Sequence, residues 1–142
     1  MDLSQLGVIK TSKKKDEKRI PIHPEHLNRI SESIRKKLIF EKGYGESFNI
    51  SDEEMAKKSG GVASREFILS ELGAAIIAKP VLSDLEELKK GGLIWGYPHC
   101  TQQEEITQVA IDRKLTLIAF EDMFVWTPNG NMGRHTFYKN NE

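Results

Sequence analysis

The stretch Ala74-Ala75-Ile76-Ile77-Ala78, closed by Lys79-Pro80, decides the fold. It is apolar without a break and short, which reads as a strand covered on both faces. Leu93-Ile94-Trp95 and Leu115-Thr116-Leu117-Ile118-Ala119-Phe120 repeat the pattern downstream. Leu6-Gly7-Val8-Ile9 and Lys37-Leu38-Ile39-Phe40-Glu41 repeat it upstream. Helix-forming segments separate these runs. Pro24 opens one, with Leu27, Ile30 and Ile34 at helical spacing. Ser51-Asp52-Glu53-Glu54 is a capping box, and Gly60-Gly61 ends its helix. Further helices are expected over Ser64 to Leu72, Ser83 to Leu88 and Gln102 to Lys114. Strands alternating with helices predict a layered α/β fold, a mainly parallel sheet of about five strands with helices on both faces. Beyond Phe120 the periodicity is lost. Trp126 to Asn131 reads as a loop, Arg134 to Tyr138 as short extended structure, and the missing closing helix predicts an uncovered apolar surface.

The chain has 142 residues, enough for one domain with a sizeable core. Lys plus Arg number 21 and Asp plus Glu 21, so the formal net charge is zero. That balance argues against a dedicated nucleic-acid binder, whose affinity comes from neutralising phosphates. No apolar run is long enough for a membrane helix, and the N-terminus lacks the order of a secretory signal, so a cytoplasmic protein is expected. The lone Cys100 excludes an intrachain disulfide. Charge is uneven: residues 1–42 hold 11 Lys/Arg against 6 Asp/Glu. The lysines of 13–18 read as a solvated loop, whereas Arg19 abuts Ile20-Pro21-Ile22 and is expected to turn inward.

Ligands of open parallel sheets sit beyond the carboxyl ends of the strands. The residues there are Lys10 to Arg19, Gly43 to Glu46, Lys79, then Gly96-Tyr97-Pro98-His99-Cys100, and finally Glu121 and Asp122. Arg19, Lys79 and His99 therefore converge on one edge. Two cations and an imidazole suit an anionic substrate whose reaction moves a proton. Cys100 has no local base or oxyanion motif to make it a nucleophile. His23 and His26 are separated by Pro24 and lack an acidic or thiol partner, so no metal site is expected. There is no GxGxxG fingerprint. Gly43-Tyr44-Gly45 lacks a third glycine, and Gly130-Asn131-Met132-Gly133 follows no expected strand.

Taken in order, these segments resemble the N-terminal domain of the alanine dehydrogenase and pyridine nucleotide transhydrogenase family. The marks are Gly7-Val8-Ile9-Lys10, Glu17-Lys18-Arg19-Ile20-Pro21-Ile22-His23-Pro24, Phe40 to Ser47, Ile50 to Glu54, Ile76-Ile77-Ala78-Lys79-Pro80, Gly96-Tyr97-Pro98-His99 and Leu117-Ile118-Ala119-Phe120-Glu121. Saccharopine dehydrogenase and (carboxyethyl)ornithine synthase are similar in the same way. The resemblance implies a Rossmann-like fold. It also implies that Arg19 and Lys79 hold a carboxylate, that Lys79 shares in the catalysis, and that His99 donates and accepts the proton. It implies the substrate-binding half of an NAD(P)-dependent oxidoreductase acting on the CH–NH group of an amino acid. In this reading 1–142 is an incomplete N-terminal domain. The cofactor, NAD(H) or NADP(H), is not expected to bind this chain alone. The implied partners are a small amino acid or 2-oxo acid, a nucleotide-binding domain in cis or trans, and further copies in a homo-oligomer; nucleic acid and membrane are not. The alternative reading is a non-enzymatic module that binds a small acid or assembles with a partner. No Glu stands between Lys79 and Pro80, and polar Thr101-Gln102-Gln103 follow His99-Cys100, which points away from alanine as the substrate.

Overall fold

Six short strands lie parallel in the computed structural model, which describes residues 4–140. They are β1 (Leu6–Val8), β2 (Leu38–Glu41), β3 (Gly61–Ala63), β4 (Ala74–Ile77), β5 (Leu93–Gly96) and β6 (Thr116–Ala119), in the spatial order β3-β2-β1-β4-β5-β6. The order reverses between β1 and β4, so the loops after these two strands diverge and leave a crevice at their carboxyl ends. β1 is the centre of the register, with Gly7 opposite Ile39 on one side and Ala75 on the other.

Side-chain alternation along each strand feeds two cores. Ile9, Ile39, Ala75, Ile77 and Ile94 point to one face. They pack there with Ile68 and Leu69, Leu85 and Leu88, and Ile106. These come from the helix α3 (Arg65–Phe67) and its continuation Ile68–Leu72, from α4 (Leu82–Glu87) and its end, and from α5 (Glu104–Asp112). Val8, Leu38, Phe40 and Ile76 point to the other face, with Leu27 from the 3-10 turn Pro24–Arg29, Met55 from α2 (Asp52–Lys58), and Tyr44. Two buried faces explain why Ala74–Ala78 shows no polar alternation. The expected capping box is present: Ser51 Oγ accepts the Glu54 N–H at 3.2 Å, and Glu54 Oε2 accepts the Ser51 N–H at 3.1 Å.

Three expectations need correction. The sheet has six strands rather than about five, because Gly61–Ala63, just past the expected helix end, is the edge strand β3. Gly60 lets that segment approach the preceding chain, since a Cβ there would stand 2.4 Å from the Lys36 carbonyl oxygen. The helix expected from Pro24 through Ile34 breaks at Ile30–Ser31 into the 3-10 turn and a separate turn, α1 (Glu32–Arg35). Its apolar face holds at Leu27, which is buried, and at Ile30, which packs half-buried against the same core, while Ile34 is exposed. Gly130 to Gly133 does follow a strand, for β7 (Phe124–Trp126) and β8 (Met132–His135) form an antiparallel hairpin around it. A hairpin turn is still not the strand-to-helix turn that cradles phosphate.

The β1–β5–β6 part of the second face is sparsely covered. Leu6, Ile34, Leu38, Leu93, Trp95 and Ile118 line an apolar cleft of about 230 Å³. Ile34 and Ile118 are 54% and 38% exposed, so apolar surface is left uncovered. Among the described residues, no helix is long and apolar enough to cross a membrane.

Candidate functional site

A cavity of about 450 Å³ opens at the carboxyl ends of the strands. Arg19, Ile20 and Pro21 from the segment after β1 form one wall, and Ala78 after β4 another. Tyr97 and His99 after β5, Phe120 after β6, and Phe137 beyond the hairpin complete it.

Arg19 is held by Glu17. Its Nε and Nη2 donate to Glu17 Oε1 and Oε2 at 2.8 and 2.6 Å, and its backbone N–H donates to Oε1 at 2.9 Å. The hydrogen bond from the Arg19 side chain lowers the Glu17 carboxyl to about 2, against the opposing effect of burial. Glu17 therefore occupies one edge of the guanidinium while ionised. The other edge keeps Nη1 and Nη2 donors, enough for a two-pronged carboxylate contact. The Arg19 side chain is 58% exposed, so it turns toward the cavity mouth rather than into the core.

His99 has a left-handed backbone, φ 50° and ψ 43°, which is uncommon for a residue with a Cβ. Glu121 accepts the His99 backbone N–H at 2.7 Å, and the same Oε1 lies 3.7 Å from His99 Nδ1. The other oxygen, Oε2, is buried without a hydrogen-bond partner among the described residues. The imidazole stacks beside Tyr97 at 6.0 Å between centroids, and Phe120 meets Tyr97 edge-on at 5.2 Å. A proton carried on Nδ1 would thus face the carboxylate of Glu121, which the sequence puts at the same edge.

The structure brings Arg19 and His99 to one cavity. Lys79 is half-buried directly after Ala78 but is not part of the wall, and its ammonium makes no hydrogen bond or ion pair among the described residues. Cys100 lies next to His99, and burial pushes its thiol up, the opposite of activation. His23 Nδ1 accepts the Glu25 N–H at 3.3 Å, and its ring meets His26 at 5.0 Å and Phe48 at 4.4 Å. No cluster of three or more metal-binding side chains occurs among the described residues.

Sequence reasoning left Glu17 and Glu121 without roles. Glu17 had a signal, two residues before an arginine in an extended segment, and Glu121 directly follows a strand. Phe137 had none. It reaches the cavity only because the hairpin folds back, with Phe137 edge-on to Phe120 at 5.1 Å and His135 Nε2 2.8 Å from the Phe120 carbonyl oxygen.

A sheet of this strand order binds dinucleotide pyrophosphate at a glycine-rich turn after its first strand. Here that turn is Lys10-Thr11-Ser12-Lys13, without glycine. Two of its backbone N–H groups are already taken by carboxylates: Lys10 N–H by Glu41 Oε2 at 2.7 Å, and Lys13 N–H by Asp84 Oδ1 at 3.1 Å. These residues do not fit a dinucleotide.

Residues 7–131 match the family model described as alanine dehydrogenase/PNT, N-terminal domain. An N(5)-(carboxyethyl)ornithine synthase of Clostridium botulinum is 34% identical over 86 residues, which cover 59% of this chain and 26% of that protein. An alanine dehydrogenase of Methanococcus maripaludis is 28% identical over 110 residues, covering 76% of this chain and 29% of that one. Among solved structures, an L-alanine dehydrogenase superposes with a TM-score of 0.67 at 21% identity, over 89% of this chain and 34% of that chain. A transhydrogenase from Sinorhizobium meliloti gives 0.67 at 16% identity, over 87% and 36%. The chain thus spans about a quarter to a third of the length of the curated relatives it matches.

Proposed function

Because the chain belongs to the alanine dehydrogenase/PNT N-terminal domain family, we propose that its cavity is the acid-binding half of an NAD(P)-dependent oxidoreductase acting on the CH–NH group of an amino acid. The observation that carries the reading is one cavity at the carboxyl ends of the strands lined by both Arg19 and His99. The free edge of Arg19 grips the carboxylate of an amino or 2-oxo acid, and the unpaired charge of Lys79 adds to that attraction from beside Ala78. His99 delivers or accepts the proton at the oxygen or nitrogen on carbon 2, with Glu121 fixing its backbone. Lys79 assists that proton transfer. Tyr97, Phe120 and Phe137 supply an apolar wall against which water is excluded.

No redox step is assigned to this chain, since its first turn does not fit a dinucleotide. The nicotinamide cofactor, NAD(H) or NADP(H), is held by a nucleotide-binding domain in cis or trans. The bare apolar surface around Ile34, Trp95 and Ile118 supports assembly with such a domain or with further copies of the chain. Titration of the ¹⁵N-labelled protein with pyruvate tests the acid-binding reading. Saturable shifts are expected at Arg19 and His99, and Arg19→Met should abolish them. Shifts that are absent, or that persist unchanged in Arg19→Met, refute it.

A further inference from the structure

A second charged cluster lies along the same sheet edge, outside the cavity wall. Asp84, in the first turn of α4, is fully buried. Its Oδ2 accepts the Val81 N–H at 2.8 Å, its two oxygens accept the Lys13 N–H at 3.1 and 3.3 Å, and Arg65 Nη2 donates to Oδ1. Arg65 also donates from Nη1 to the Thr11 carbonyl oxygen at 3.0 Å and from Nε to Glu87 Oε2 at 3.2 Å. Glu41 at the end of β2, Arg65 in α3 and Asp84 in α4 therefore hold three backbone groups of the loop after β1: Lys10 N–H, Thr11 C=O and Lys13 N–H.

Stability alone does not call for such an arrangement. Well-packed apolar residues of the same volume often replace a buried ion pair at no loss. An apolar cluster, however, cannot hold polar backbone groups in a set direction. The loop gripped at Lys13 runs on to Arg19, and the loop gripped at Val81 begins at Lys79. We propose that the Asp84–Arg65 pair is a positioning clamp that sets the separation of the Arg19-bearing and Lys79-bearing loops, and thereby the affinity for the substrate carboxylate. This rests on the reading of Arg19 and Lys79 as carboxylate ligands. Neither clamp residue touches the substrate.

The test uses the 142-residue chain, pyruvate as the probe, and amide hydrogen exchange as a second readout. Asp84→Asn keeps the volume and removes the charge that orients Arg65. At least a ten-fold rise in the pyruvate Kd is expected. Protection at Lys13 and Arg19 should fall while that of Ile76 and Trp95 in the sheet stays unchanged, a split that a general loss of stability would not produce. Arg65→Lys keeps the charge but loses the bond to Thr11, and should give an intermediate Kd; it carries the test if Asp84→Asn fails to fold. The exposed Glu86→Gln is the control and should change nothing. Wild-type pyruvate binding retained at the same Kd in Asp84→Asn or in Arg65→Lys overturns the clamp. If the unaltered chain binds no pyruvate, the carboxylate reading fails, and loop exchange decides the clamp: unchanged protection at Lys13 and Arg19 in the variants overturns it, and selective loss supports it.

Discussion

Replacing Tyr44 by Phe should destabilise the protein by about 2 kcal/mol and loosen one wall of the cavity. Tyr44 is fully buried, and its ring meets Phe40 edge-on at 4.8 Å. Its hydroxyl donates to the Ile22 carbonyl oxygen at 2.8 Å and accepts the Ile22 N–H at 2.9 Å. Burial pushes the phenol far above its ordinary value, so the donor survives at any accessible pH. Phe preserves the ring packing and deletes both bonds. Each is worth roughly 0.5–1.5 kcal/mol net, with a further cost for any group left buried and unpaired. Ile22 is half-buried, so water relieves part of that cost and the sum stays near 2 kcal/mol. An unfolding entropy of about 2.1 cal/mol/K per residue gives about 0.3 kcal/mol/K for 142 residues, hence a fall in Tm of about 7 °C. A far-UV circular dichroism melt measures it. Because Ile20 and Pro21 line the cavity just before Ile22, pyruvate should also bind more weakly. A Tm within about 2 °C of the parent would show that Ile22 does not depend on this hydroxyl.

Gly96→Ala should cost at least the roughly 3 kcal/mol that marks severe overpacking, because a Cβ would stand 1.9 Å from the Ile77 carbonyl oxygen inside the β4–β5 pair; urea unfolding with an unshifted midpoint would count against this. The Glu17 carboxyl, titrated by ¹³C NMR, should show a midpoint near 2. Its folded value lies below its unfolded one, so the stability it contributes is present above the unfolded pKa and lost as pH falls through about 2. A midpoint in the ordinary carboxylate range would mean that the Glu17–Arg19 fork is not made in solution. Cys100 should react with iodoacetamide at pH 8 more slowly than a free thiol, since a raised pKa leaves less thiolate; a rate above that of free cysteine would refute the burial argument.

Local sequence was enough for the layered α/β class, and for five of the six strands, because short, mainly apolar runs of three to six residues suit the strands of a sheet with helices on its faces. It was also enough for the Ser51 capping box, whose partners lie within one turn. It placed Arg19 and His99 at one edge because strand ends can be read from apolar runs and ligands gather beyond them. The edge strand β3 escaped, since its glycine-led, half-buried residues carry neither an apolar run nor alternation, and only pairing with β2 makes them a strand. The partners of the site residues also depended on tertiary structure. Glu121 meets His99 across 22 positions, and Asp84 reaches Lys13 across 71. Such contacts follow from strand order and from how each loop folds back over the sheet. Neither leaves a periodic mark in the chain, because hydrogen bonds between distant residues are set by the packed three-dimensional frame and not by the spacing of neighbours.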